Sequence, residues 1–292
     1  MNCNNCDYKK NAPNGICGIK KATDGFVLRC VGGWSKDKHY YLGKYIELFT
    51  KTMAKNKNWS GLCYIDLFTG PGKCMVRDYE EEIDGSPLIA LKFPFMKFIF
   101  TELDTKIIDT LKNRSTTTDK FSHITFLQGD CNKQINNIIQ HIAINHLSLA
   151  FIDPTGLDIN FNTVQILTKN KSMDLIINFP EGMAIKRNLK QFIKSPHCKL
   201  DDFIGDKNWR SLFKQQTLPN EAMATRKIMN YYRSKLNKIG YKETKIGDEI
   251  LIRSTNRNLP LYLLLFASKH PLGNKFWDII GQIEPSGQRK LW

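Results

Sequence analysis

Three short stretches carry the residue types that chemistry needs. The first is Asp66-Leu67-Phe68-Thr69-Gly70-Pro71-Gly72, which follows an apolar run and so falls where a buried strand ends. Glycines at such a point let the backbone approach a ligand closely, because they adopt φ angles that other residues avoid. The spacing is neither G-x-G-x-x-G nor G-x-x-x-x-G-K-S/T, which disfavours a dinucleotide and a P-loop nucleotide. The second stretch is FIFTELD (98–104), ending in Glu102 and Asp104. An acid at the tip of a second strand can accept both hydroxyls of a ribose. Glu102 suits that role, whereas Asp104 suits the start of the next helix, where the macrodipole favours negative charge. The third is ITFLQGDCN, which sets Asp130 and Cys131 at the end of the following strand. Asp130 alone could be a plain helix cap. Three acids at three successive strand tips are more specific than any one of them.

The loop from Asp66 to Gly72 resembles the D/E-x-F/x-x-G-x-G loop of Rossmann-like S-adenosylmethionine-dependent methyltransferases. The resemblance implies a cofactor side made of Asp66, Phe68, Gly70, Gly72, Glu102, Asp130 and Cys131, with Asp130 meeting the adenine amino group. A fourth stretch, FIDPTG, places Asp153 and Pro154 at a further strand tip. It is similar to the D/N-P-P-Y/F/W motif of amino-methylating enzymes. There the acid and a backbone carbonyl accept hydrogen bonds from an exocyclic amine, and the aromatic stacks on a flipped base. Here Thr155 replaces the second Pro and Gly156 the aromatic. Asp153 and Pro154 are therefore the expected catalytic pair, orienting a nitrogen, with any stacking partner supplied from elsewhere. A plain turn with Pro at a favoured position is the alternative.

Regular elements must hold these tips in line. Apolar runs recur at LCYIDLF, FIFTELD, ITFLQGD, LAFIDPT and DLIINFP, each a buried-strand pattern. Between them SPLIALKF, TKIIDTLKNR, NKQINNIIQHIA and NTVQILTK read as helices, with Ser86 as an N-cap and Pro87 in the first helical position. Alternation of this kind predicts a mostly parallel sheet with helices on both faces. A further helix is expected over 36–55, capped by Ser35. Residues 181–247 read as a basic helical insertion. EILIRST and LYLLLFASK then predict two more strands, with an antiparallel pairing at the sheet's end. Asn178-Phe179-Pro180 and KHPLGNKFW are the candidate substrate-side segments.

The first 33 residues read as a separate small lobe. Cys3, Cys6, Cys17 and Cys30 offer a C-x-x-C pair and two separated thiolates, which can form a tetrahedral zinc site. An iron–sulfur cluster would use the same ligands, and free thiols are the remaining alternative. Across all 292 residues, 43 Lys and Arg against 28 Asp and Glu leave a formal charge of +15. That surplus attracts polyanions, nucleic acid first among them, although Lys-rich solvated faces give the same sum. No apolar run reaches the roughly 18 residues that span a bilayer. MNCNNCDYKK shows no apolar signal region. A soluble, cytoplasmic globular protein without a membrane partner is expected.

The order W-S-x-x-K, YIDLFTGPG, EEIDGSPLIAL, FTELD, GDCN, FIDPTG and FASKHPLGNKFW resembles the three-Cys-motif partner protein family over residues 31–285. That resemblance implies a methyltransferase-like fold and a separate Cys-bearing, radical-SAM-like partner protein. Its matching positions are Asp66–Gly72, Glu102, Asp130, Asp153 and Lys269–Trp277. The expectations are then definite. The fold is Rossmann-like α/β, with a Cys-rich segment at 1–33 and a methyltransferase-like domain at 34–292. The function is methyl transfer from S-adenosylmethionine to a nitrogen, in nucleic acid. The rival is a non-catalytic accessory subunit that binds a partner protein. A nuclease would need a metal-carboxylate cluster, and the sequence offers none.

Overall fold

The computed structural model describes residues 15–213, 221–242, 247–255 and 258–288. The chain first forms a hairpin of β1 (Ile16–Lys21) and β2 (Val27–Val31). Helix α1 (Trp34–Met53) follows and buries Tyr41, Leu42, Tyr45, Ile46 and Phe49, a stripe at helical spacing. It begins two residues earlier than its apolar pattern indicates. Gly33 holds the cap position, and Ser35, the expected cap, is buried inside the first turn.

Strand β3 (Gly61–Asp66) leads through the glycine loop to a hairpin of β4 (Lys73–Val76) and β5 (Glu81–Asp84). Helix α2 (Ser86–Leu91) is capped at Gly85, which puts Ser86 one residue inside the helix rather than at its cap. Strands and helices then alternate: β6 (Lys97–Glu102), α3 (Thr105–Ser115), β7 (Ile124–Gln128), α4 (Cys131–Gln140), β8 (His146–Ile152), α5 (Phe161–Thr168) and β9 (Ser172–Phe179). The expected insertion is helical: a π turn (Glu181–Lys186), α6 (Arg187–Lys194), α7 (Lys199–Ile204), a short 3-10 stretch and α8 (Glu221–Lys238). β10 (Ile250–Arg253), β11 (Pro260–Ala267) and α9 (Pro271–Gly281) complete the described elements.

Among the described residues, seven strands form the central sheet, in the order β10-β11-β9-β8-β3-β6-β7. The five from β7 to β9 are parallel, and β11 is antiparallel to both of its neighbours. β3 lies between β6 and β8, so the chain leaves β3 toward one edge and returns for β8 on its other side. That reversal opens a crevice above the carboxyl ends of the strands. One face of the sheet is packed by α1, α2, α3 and α9, the other by α4, α5, α7 and α8. This is the Rossmann-like α/β arrangement the strand pattern predicts, including the antiparallel strand near the end.

The described part of the Cys-rich segment does not stand alone. β1 and β2 join β4 and β5 in a second sheet, with β2 parallel to β4. Arg114 of α3 fastens this sheet to the main domain, since its Nε and Nη2 donate to Asp24 at 2.7 and 2.9 Å.

KHPLGNKFW is not a substrate-side loop. An antiparallel strand ends where its parallel neighbours begin, and the register pairs Ala267 with Leu175 near the start of β9. The segment therefore emerges at the edge opposite the crevice. His270 caps α9 through Nδ1, which accepts from Leu272 N at 3.1 Å. Lys269 donates to the carbonyl of Thr168 at 2.7 Å. Trp277 stacks on Phe266 with ring centroids 5.1 Å apart.

Candidate functional site

A cavity of about 750 Å³ opens at the carboxyl edge of the sheet, where the strand order reverses. Its floor starts at the glycine loop. Gly70 and Gly72 have φ of 61° and 90°, the left-handed region that favours glycine. A side chain at Gly72 would press within 2.9 Å of Leu111. The loop turns Leu67 and Phe68 toward the cavity.

Asp66 was expected among the cofactor contacts, but its side chain is fully buried behind the loop. Its carboxylate accepts from Phe68 N at 3.1 Å, and burial pushes its pKa up to about 7 despite the hydroxyl of Ser86. Asp66 therefore fixes the loop from within and does not border the cavity. Gly70 and Gly72 likewise supply curvature and do not border the cavity.

The next acids do reach it. Glu102 borders the cavity while Oε2 accepts from Gly70 N at 2.9 Å and Oε1 from Asp104 N at 3.2 Å. It ties the tip of β6 to the glycine loop. Asp104 caps α3, accepting from Lys106 N and Ile107 N, as the sequence indicates. Asp130 borders the cavity and also caps α4, accepting from Asn132 N at 2.9 Å. Cys131 lies beside it. Burial drives this thiol up to about 12, so it stays neutral and offers contact without charge.

Asp153 borders the cavity at the tip of β8, and Pro154 is buried next to it. Both carboxylate oxygens of Asp153 have partners inside the protein. Oδ1 accepts from Asn178 Nδ2 at 2.7 Å, and Oδ2 is ion-paired with Lys38 from the first turns of α1. Burial opposes its ionisation, but Lys38 and the bond from Asn178 outweigh burial and hold the carboxyl below its usual range. Asn178, expected at the mouth, is thus found with Asp153. Its own Oδ1 is buried without a hydrogen bond among the described residues, as is the hydroxyl of Tyr262. His39, beside Lys38, is driven by burial down to about 3 and stays neutral.

The cavity is acidic in a basic chain. Glu102, Asp104, Asp130, Asp153, Asp158 and Asp202 line it, against Arg29 and Lys199. Lys199 is paired with Asp158 at 2.9 Å. Residue periodicity could not reveal Arg29 or Lys38, because tertiary pairing delivers both. Lys38 did leave one trace: a cation near a helix N-terminus opposes the macrodipole and needs an acid nearby.

The metal set divides. Cys3 and Cys6 lie outside the described residues, and Cys17 and Cys30 sit on the adjacent strands β1 and β2. Among the described residues, no three His, Cys, Asp or Glu are grouped to hold a metal ion. No described helix is long and apolar enough to cross a membrane. Lys186, Arg187, Lys190 and Lys194 are all exposed on and just before α6, whose Leu189 is buried.

Comparisons with protein-family models and with curated proteins find no match. Solved structures of similar outline include the O-methyltransferase TomG from Streptomyces achromogenes in complex with SAM. It is 9% identical, with 78% of this chain and 79% of that one covered and a TM-score of 0.42. An O-methyltransferase from Bacillus cereus in complex with SAH is 8% identical over 78% and 80%, at 0.42. A Legionella pneumophila protein is 11% identical over 84% and 90%, at 0.47.

Proposed function

We propose that the protein is an S-adenosylmethionine-dependent methyltransferase acting on a nitrogen, with nucleic acid as the substrate class. The observation that carries this reading is the acidic cavity over the strand-order reversal, with Glu102 and Asp130 on its wall. A cofactor with a sulfonium, an ammonium and a ribose diol is matched by carboxylates at those positions. Bound there, it would supply an activated methyl group.

The protein's own contribution would be alignment. Glu102 would receive ribose hydroxyls, Asp130 the adenine amine, and Asp153 would help hold the acceptor in line. Nitrogen is favoured because the groups around Asp153 are poor bases near neutral pH. Asp153 is held ionised, His39 is neutral with a pKa of about 3, and the phenol of Tyr262 is raised well above its ordinary value. An amine attacks with its own lone pair, whereas an aliphatic hydroxyl needs a base to take its proton. Nucleic acid is favoured by the +15 charge and the exposed basic side of α6. A Cys-bearing partner protein and a zinc ion on the Cys3, Cys6, Cys17 and Cys30 set belong to the same proposal.

One observation favours the rival reading of a non-catalytic subunit: both oxygens of Asp153 are already occupied by Lys38 and Asn178. Transfer of tritiated methyl from S-adenosylmethionine to total RNA or to genomic DNA separates the two. Incorporation that disappears in Asp153→Ala supports the enzyme. Tight cofactor binding with no incorporation into either polymer supports the accessory subunit.

A further inference from the structure

We infer that Arg29, on the N-terminal hairpin, clamps the α-carboxylate at the amino-acid end of the ligand in this cavity. The inference rests on the cofactor reading above and names a contact that lies outside the stretch carrying the family resemblance.

Among the described residues two cations line the cavity, and they differ. Lys199 is paired with Asp158 at 2.9 Å. The guanidinium of Arg29 makes no hydrogen bond or ion pair with the described residues, although it sits in an acidic surround where its charge helps keep Asp153 ionised. A guanidinium left unpaired among carboxylates is placed to receive an anionic group that arrives with a ligand. Its rigid fork suits a carboxylate with two parallel N–H bonds.

The position of Arg29 is fixed. Strand β2 pairs with β4, and the register sets Arg29 against Cys74, two residues past the glycine loop. A Cβ at Gly70 would lie 3.5 Å from Nη1 of Arg29, so the guanidinium lies close over the loop's left-handed turn. Arg114 locks the two parts together. Its Nη1 donates to the carbonyl of Val27 on β2 at 2.9 Å and also to the carbonyl of Pro71 in the loop. Hairpin and glycine loop therefore share one anchor, and Arg29 cannot drift from Gly70 without breaking it.

The charge pattern then reads as a complement. The acids Glu102 and Asp130 meet hydroxyls and an amine, and Arg29 meets the one negative group of a zwitterionic amino acid. A ligand that lacks that carboxylate gains nothing from Arg29.

Two ligands isolate the contact. S-adenosylhomocysteine carries the amino-acid end, whereas 5′-methylthioadenosine keeps the adenosine and lacks that end. Calorimetry should show Arg29→Ala weakening S-adenosylhomocysteine by at least about tenfold. Affinity for 5′-methylthioadenosine should stay within about twofold of wild type, and Arg29→Lys should restore part of the loss. An equal loss for both ligands in Arg29→Ala would make Arg29 a structural strut and overturn the inference. So would an unchanged affinity for S-adenosylhomocysteine. If neither ligand binds the wild type, the cofactor reading itself fails and the clamp fails with it.

Discussion

Glu102 does two jobs that one substitution can separate. Its carboxylate accepts two backbone N–H groups, from Gly70 at 2.9 Å and Asp104 at 3.2 Å, and it borders the cavity. Hydrogen bonds to a charged group contribute roughly 1.5–3 kcal/mol each when shielded. Glu102 is partly exposed, so about 1 kcal/mol each is the appropriate scale, or about 2 kcal/mol for both. For a domain of this size that corresponds to a melting temperature lowered by about 4–8 °C in Glu102→Ala. Glu102→Gln keeps one accepting oxygen and should lose roughly half as much. Both variants should weaken S-adenosylhomocysteine at least about tenfold, or 1.4 kcal/mol, because the proposed ribose contact is lost. Scanning calorimetry and isothermal titration on the same preparations give the two numbers. A variant that melts early but binds as wild type confines Glu102 to holding the loop. Wild-type melting and wild-type affinity together would refute both roles.

Asp66 makes stability depend on pH. Its folded pKa of about 7 exceeds the ordinary 3.8, so the folded state keeps its proton where the unfolded chain has lost it. Stability should therefore fall as pH rises from about 4 to about 7, by roughly 4 kcal/mol in all. Asp174, raised to about 6, adds in the same direction. Asp24 and Asp201, lowered to about 2, act only at more acidic pH. Urea unfolding of Asp66→Asn should show a flatter decline, and an undiminished slope would dismiss Asp66 as its source. Replacing Lys186, Arg187, Lys190 and Lys194 with Ala should reduce the salt dependence of RNA or DNA binding while leaving cofactor affinity intact. A wild type whose binding to either polymer ignores salt would speak for another substrate class. Elemental analysis should find about one zinc per chain if the four N-terminal cysteines form one site. Absence of both zinc and iron would leave them as thiols.

The parallel sheet was legible because buried strands and intervening helices differ in period, and the tips of β3, β6, β7 and β8 fall where those periods change. Glu102 and Asp130 were legible for the same reason, since each ends an apolar run. Asp66 and the two glycines fall at the expected strand tip, but the side chain of Asp66 is buried behind the loop and none of the three borders the cavity. Sequence spacing places a residue at a strand tip and does not say which way its side chain points. KHPLGNKFW was misplaced because a long apolar strand reads the same in either direction, and only the pairing of Ala267 with Leu175 sets its sense. Arg29, Lys38 and the partnership of Asn178 with Asp153 arise from contacts distant in sequence. Neither helical nor strand periodicity encodes such contacts.

The central claim is that the cavity above the strand-order reversal holds S-adenosylmethionine. Isothermal titration of the wild-type chain with S-adenosylhomocysteine tests it most directly. The structure leads us to expect saturable binding of about one molecule per chain with a dissociation constant near or below 1 μM, about −8 kcal/mol. Absence of any binding up to about 1 mM, with the chain folded, would contradict it.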